Sequence, residues 1–370
     1  MTFLINIFKF LLNVLYLFFK LFKTRDQITL ISRQSNTITD DFELLKKELE
    51  KKYKVVVLCK KMENKILYAF HMIVQMYHIS RSKVVILDSY SIVVSNLKHK
   101  KDLNLIQIWH ALGLIKKAGY SILDKEEGRS SKTSIALNMH KKYDYVFTTS
   151  ENCISAMSEV FGCNESIVYS VPLPRIDLLK NKEYISKKQN EIYKIYPKLK
   201  DKKNIIYAPT FRKDEEVMKE KVMELVDSFN YKKYNLIIKL HPLSKIEIND
   251  SRVIKDTKFS SLEMMYVSDI VIGDYSSLTY EAGILNKKQI FYAFDLNSYK
   301  GKRDFFINYE KEIPGPILEN AKDIIDFIDK NDYTKYRNNK FISKYVDINI
   351  KNYTKNMCKY IDRIMMKGKI

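Results

Sequence analysis

Short β-branched runs that end on polar residues alternate with helix-compatible sequence along most of this chain, and no other feature restricts its fold so much. "QITLISRQ", "KVVVLCK", "SKVVILDS", "LNLIQIWH", "YDYVFTTS" and "SIVYSVP" come first. A charged stretch containing Pro197, "NKEYISKKQNEIYKIYPKLKDKK", interrupts the rhythm, which restarts with "NIIYAPTFR", "YNLIIKLHP", "RVIKD", "SDIVIGDYSS" and "KQIFYAFD". Strands this uniformly apolar are buried on both faces, so each series predicts a mostly parallel sheet covered by helices. Helical spacing predicts helices over 40–52, 215–229 and 277–285 and near 320–329. The expected fold class is α/β, with two doubly wound, Rossmann-like domains at 26–195 and 196–370 facing each other across a cleft. A chain of 370 residues suits two such domains, because single cores stop growing at roughly 250 to 300 residues.

Residues 1–25 stand apart. In "MTFLINIFKFLLNVLYLFFKLFK" the polar residues Thr2, Asn6, Lys9, Asn13, Tyr16, Lys20 and Lys23 recur every three or four positions. On a helix they form one stripe, with Phe and Leu on the opposite side. Three placements are open: an amphipathic anchor lying in the membrane interface, a spanning anchor, or a helix packed on the protein's own core. A lysine-bearing stripe favours lying over spanning, and no small-residue cleavage site follows.

Composition removes further classes. A hydrophobic share of 46%, with 12% aromatic, excludes a disordered chain. The four cysteines, Cys59, Cys153, Cys163 and Cys358, lack metal-ligand spacing and read as reduced thiols. A formal charge of +20 points to polyanionic partners, although lysine is spread along the whole chain and compositional bias explains it equally well.

In open α/β sheets, ligands sit outside the carboxyl ends of the strands. His110 ends a central strand of the first domain and is read as preceding a helix start, with Gly113 allowing close approach and Lys116 supplying charge. An imidazole there is a candidate base; a ring satisfied by a backbone carbonyl is the simpler alternative. His241 repeats the arrangement in the second domain. With no further His or Cys at ligand spacing, the pair does not read as a metal site. In "SDIVIGDYSSLTYEAG", Asp274 is followed by Ser276 and Ser277 at the start of a helix, where backbone amides and hydroxyls suit a phosphate or simply cap the helix. The absence of "GxxxxGK[ST]", "GxGxxG" and "GxSxG" weighs against an NTPase, a dinucleotide oxidoreductase and an α/β-hydrolase.

The runs "QIWHALGLIKKAGY", "KYDYVFTTSE", "VPLPRIDLL", "IIYAPTFR", "IIKLHP", "SDIVIGDYSSLTYEAG" and "QIFYAFDLNSYKGKRDFFINYEKEIPGP" occur in that order. Together they resemble the CDP-glycerol glycerophosphotransferases, the family of teichoic acid glycerol- and ribitol-phosphate transferases and polymerases. The resemblance implies a GT-B-like architecture and transfer of glycerol phosphate or ribitol phosphate from a CDP-activated donor to a lipid-linked or glycan acceptor, releasing CMP. It implies His110 as base on the acceptor hydroxyl, His241 steadying the donor phosphates, and Ser276 and Ser277 binding the diphosphate. Arg212 and Arg303 become phosphate contacts, with Asp274, Lys116 and Gly113 in support. No metal and no cofactor beyond the CDP-glycerol or CDP-ribitol substrate is expected, and no nucleic acid. The expected location is peripheral, on the anionic cytoplasmic face of the cell membrane. Two rival functions are a GT-B glycosyltransferase using a nucleotide-sugar donor and a noncatalytic polyanion-binding protein.

Overall fold

A computed structural model describes residues 2–367. The chain divides into two compact units. The first comprises the chain up to Leu112, Lys117–Asp177 and the segment from Asp347 onward; the second comprises Gly113–Lys116 and Leu178–Val346.

The strands of the first unit are β1 (Gln27–Ser32), β2 (Lys54–Cys59), β3 (Val84–Leu87), β4 (Asn104–Gln107), β5 (Tyr145–Thr148) and β6 (Val168–Ser170). They form one sheet in the order β2-β1-β3-β4-β5-β6, parallel throughout. Its helices are α1 (Thr2–Lys20), α2 (Asp40–Leu49), α3 (Lys65–Arg81), α4 (Ile92–Asn96), α5 (Ser131–Ala136) and α6 (Ile154–Phe161), with α7 (Ile176–Lys180) carrying the chain onward.

In the second unit β7 (Lys203–Tyr207), β8 (Tyr234–Ile238), β9 (Ile254–Lys255), β10 (Ile270–Gly273), β11 (Lys288–Tyr292) and β12 (Ile317–Leu318) form a second sheet. Its order is β12-β11-β10-β7-β8-β9, again parallel. The accompanying helices are α8 (Lys182–Ile195), α9 (Glu215–Ser228), α10 (Ser261–Tyr266), α11 (Leu278–Ile284), α12 (Leu296–Lys302), α13 (Tyr309–Glu312), α14 (Ala321–Lys330) and α15 (Asn338–Tyr345). Alternation along one strand separates two cores. Ile205 and Tyr207 pack with α9 and α14, whereas Ile206 between them packs with Met264 and Met265 of α10 and Ile192 of α8. Burial on both faces is why these strands show no polar alternation.

The second domain was expected to run over 196–370 and to open after a linker. The charged stretch is instead helix α8, inside the second unit. The C-terminal helix α16 (Tyr353–Lys367) returns to the first unit. There the backbone amides of Tyr353 and Thr354 and the Thr354 hydroxyl donate to Asp177 at 2.9, 2.8 and 2.6 Å. No helix follows His110 either: among the described residues the next helical turn begins at Gly119. The intervening Gly113–Lys116 belongs to the second unit, where Lys116 bridges Phe305 and the Phe306 amide donates to the Ile115 carbonyl at 2.8 Å.

Helix α1 packs on its own unit through its polar stripe. Lys9 Nζ donates to the Ala136 carbonyl at 3.0 Å, and Asn13 Nδ2 donates to the Asn96 carbonyl at 3.0 Å. Asn13 Oδ1 accepts from the Lys98 amide at 2.7 Å, and Tyr16 is 1% exposed. The apolar side therefore faces outward, with Phe3, Leu4, Phe10, Leu11, Leu17 and Phe18 exposed. Ile66, Leu67, Phe70, Ile73 and Val74 of the neighbouring α3 are exposed as well.

Candidate active site

In the first unit the ends of β1, β3 and β4 converge on His110. Its Nδ1 lies 3.1 Å from the Asp88 backbone carbonyl and 3.3 Å from the Gln34 side-chain amide. A carbonyl oxygen only accepts, so this shorter contact assigns the hydrogen to Nδ1; the Gln34 amide, whose Nε2 faces the ring, must then turn its oxygen toward it. Nε2 is thereby the basic nitrogen. The preceding residue, Trp109, has φ +60°, a conformation costly for a bulky side chain. It is held there by its amide donating to Gln107 Oε1 at 2.9 Å and by ring contacts to His110 at 4.1 Å and Phe161 at 5.4 Å. His140, against the same cluster, is kept neutral because burial pushes its pKa down to about 3.

Asp88 supplies that carbonyl, and its carboxyl is buried at 3% exposure. Burial pushes its pKa up to about 6, against the pull of the Ser32 and Ser89 hydroxyls. A carboxyl raised above its unfolded value of 3.8 binds more protons in the native state, so its contribution to stability falls as pH rises from about 4 to 6. Asp88→Asn is accordingly expected to stabilise the protein by about 3 kcal/mol above pH 7, with the gain vanishing below pH ~4. Urea unfolding at pH 4, 5, 6 and 7.5 checks this; a gain independent of pH contradicts it.

In the second unit the strand order reverses between the adjacent parallel strands β7 and β10, whose carboxyl ends lie side by side. Asp274, 1% exposed, accepts from the Thr210 amide at 3.0 Å, the Thr210 hydroxyl at 2.6 Å and Arg212 Nη2 at 2.9 Å. Arg212 also donates from Nε and Nη2 to Asp295 at 2.7 and 3.1 Å, and from Nη1 to the Thr210 carbonyl at 2.7 Å. The guanidinium lies over Tyr275 and Tyr299, 5.0 and 5.1 Å from their centroids, and these rings stack at 4.0 Å. Burial opposes its charge, but Asp274 and Asp295 outweigh that and hold its pKa above the ordinary value. The Tyr275 hydroxyl donates to Asp295 at 2.8 Å.

This buried network fixes the turn carrying Ser276 and Ser277. Ser276 Oγ accepts from the Leu278 amide at 3.3 Å, whereas the Ser277 hydroxyl makes no cap bond to α11. His241 follows β8, exposed, with its ring 5.6 Å from Phe211. Its Nδ1 accepts from the Leu243 amide at 3.2 Å, which places the hydrogen of the neutral ring on Nε2, as a donor. Burial first and Lys116 second lower its pKa. Gly113 lacks the side chain that would collide with Tyr280: a Cβ there would lie 2.6 Å from the ring. Arg303 sits at the C-terminal end of α12, its amide donating to the Tyr299 carbonyl at 2.9 Å.

The second unit thus gathers Asp274, Arg212, Ser276, Ser277, His241 and Lys116 at the strand ends or on the segment that joins them, and His110 belongs to the first unit, three residues before Gly113 in the chain. Sequence reasoning placed Thr210 and Tyr275 at strand ends without giving them a role, and missed Asp295 and Tyr299. The signal for Asp295 was its place three residues beyond β11, at the same end of the sheet as Asp274, which directly follows β10.

The family model described as CDP-Glycerol:Poly(glycerophosphate) glycerophosphotransferase matches residues 14–363. A teichoic acid ribitol-phosphate primase of Bacillus spizizenii is 29% identical over 83% of this chain and 82% of its own. A teichoic acid glycerol-phosphate primase of Bacillus subtilis is 31% identical over 70% of this chain and 68% of its own. In fold, the chain is similar to the wall teichoic acid polymerase TagF, with a TM-score of 0.76 at 19% identity over 99% of this chain and 97% of that one. The match to the family model spans nearly the whole chain, and the chain belongs to the CDP-glycerol:poly(glycerophosphate) glycerophosphotransferase family.

Proposed function

We propose that this protein transfers a polyol phosphate, glycerol phosphate or ribitol phosphate, from its CDP ester to a hydroxyl of a lipid-linked or glycan acceptor in teichoic acid synthesis. The observation that carries the chemistry is the 3.1 Å contact of His110 Nδ1 with the Asp88 carbonyl, which assigns the hydrogen to Nδ1 and leaves Nε2 as a base suited to removal of the acceptor's proton. The acceptor oxygen attacks the donor's β-phosphorus in line, a new O–P bond forms, the bond to the bridging oxygen breaks, and CMP leaves. In the second unit His241 Nε2–H, the Ser276 and Ser277 hydroxyls and Arg303 contact the diphosphate. Arg212 acts indirectly, holding the turn through Asp274 and Asp295. Such chemistry asks mainly for positioning and charge neutralisation.

The donor is identified by thermal stabilisation, since only ligands preferring the native state raise the melting temperature. CDP-ribitol or CDP-glycerol is expected to do so; a response confined to nucleotide sugars favours a glycosyltransferase and overturns the reading.

The proposed location is peripheral, on the cytoplasmic face of the membrane. Its support is the outward apolar face of α1 continued by α3, together with a charge of +20 that suits an anionic leaflet. By length and composition Phe3–Lys20 is also able to cross a bilayer, yet its polar stripe is engaged by the protein. Each exposed Phe or Leu buried in lipid contributes roughly 1.5–3 kcal/mol. Combining Phe10→Ser, Phe18→Ser and Phe70→Ser, all at exposed sites, is expected to release the protein from anionic vesicles at unchanged melting temperature. Flotation with vesicles as complete as the wild type contradicts the assignment.

A further inference from the structure

The second unit carries a basic cavity at the opposite edge of its sheet from the candidate active site. Its volume is about 510 Å³, and its lining includes Lys288, Gln289, Tyr333, Arg337 and Lys340 but no carboxylate. Lys288 is the first residue of β11, whereas Ser276 and His241 follow the carboxyl ends of β10 and β8. In a parallel sheet those are opposite edges, separated by a strand length of about 16 Å. A second cavity of about 760 Å³ shares Tyr336, Arg337 and Lys340 and adds Lys335 and Lys344. Its acids are engaged: Glu312 with Lys344 at 2.6 Å and Glu310 with Lys300 at 3.6 Å.

Four features make this more than a solvated charge run. Among the described residues, no carboxylate lies within ion-pair distance of Arg337 or Lys340. The loop that bears them is pinned to the sheet, because Asn338 donates to the Lys287 carbonyl at 2.7 Å and accepts from Gln289 at 2.9 Å. The buried Tyr333 hydroxyl has no hydrogen-bond partner, and Lys288 Nζ lies 5.0 Å from that ring's centroid. Arg337 also precedes α15, whose first turn has no side-chain cap, so its backbone amides add donors to the cations. A pinned cluster of unneutralised cations with spare donors is suited to a phosphate ester, and two cavities that share Arg337 and Lys340 in their lining are suited to successive phosphates of one chain.

We propose that this groove binds the phosphodiester backbone of a poly(polyol phosphate) chain, holding acceptor or product polymer away from the donor. This rests on the polyol-phosphate reading of the active site. A phosphate ester of that kind comes either from polymer or from a mononucleotide, and the test separates the two. The double variant Arg337→Gln/Lys340→Gln removes two exposed charges without emptying a core. Short poly(glycerol phosphate) and CMP are titrated against wild type, this variant and a charge-matched control, Lys219→Gln/Lys232→Gln. The expected result is a loss of about tenfold or more in polymer affinity for the groove variant alone, with CMP binding unchanged in all three. Equal polymer affinity in the groove and control variants overturns the groove, as does a parallel loss of CMP binding, which makes it a nucleotide site. Failure of every CDP-polyol to turn over, with the polymer result as expected, sinks the enzymatic reading and leaves the groove standing.

Discussion

Replacing His110 with alanine is expected to lower CMP release from the CDP-polyol by about two to four decades, the worth of a positioned base, while the donor still raises the melting temperature. The separation is the diagnostic part. His110 belongs to the first unit and makes its described contacts with the ends of β1 and β3 and with Trp109. On the proposed role its loss removes the proton acceptor, whereas the serines, His241 and the Arg212 network belong to the second unit. Trp109 keeps Gln107 and Phe161 as partners, so the fold survives the change. Steady-state CMP release beside donor titration by thermal shift measures both halves. Full activity in the variant, or loss of donor binding in parallel with rate, contradicts the role assigned.

Arg212→Ala is expected to cost about 3–5 kcal/mol of stability, the usual consequence of leaving a buried charge without its partner. Asp274 is 1% exposed, and after the change only Thr210 and neighbouring amides answer its carboxylate. Neutralising that acid as well, in Arg212→Met/Asp274→Asn, is expected to recover part of the loss, because the two residues share one network. Urea unfolding of both variants decides the matter. If Arg212→Ala keeps wild-type stability but loses donor binding, the guanidinium is a direct phosphate ligand and the positioning role is wrong.

The sheets were legible because both-face burial leaves strands as uninterrupted apolar runs, and all eleven runs named from sequence correspond to strands. The twelfth, Ile317–Leu318, is too short to show a period. Helix α8 was hidden by composition: its lysine-rich sequence buries only Ile192 fully, and Pro197 beyond its end reads as a linker. The return of α16 rests on capping by Asp177, a contact across 176 residues that no local pattern announces. The stripe on α1 was visible as a spacing, but spacing does not say which side meets the protein. In the active site, strand-end position picked out His110, His241 and the serines. The family resemblance suggested Arg212 as a phosphate contact, and a lone arginine at a strand end shows nothing of the two carboxylates that tertiary folding brings to it.

The central chemical claim is attack at the donor's β-phosphorus. It is tested most directly with a CDP-polyol carrying ¹⁸O in the bridge between its two phosphorus atoms, turned over on a membrane-bound acceptor. The account predicts that the released CMP retains the label and the new phosphodiester contains none. Release of labelled polyol phosphate, the product of attack at the α-phosphorus, or turnover of nucleotide sugars alone, contradicts it.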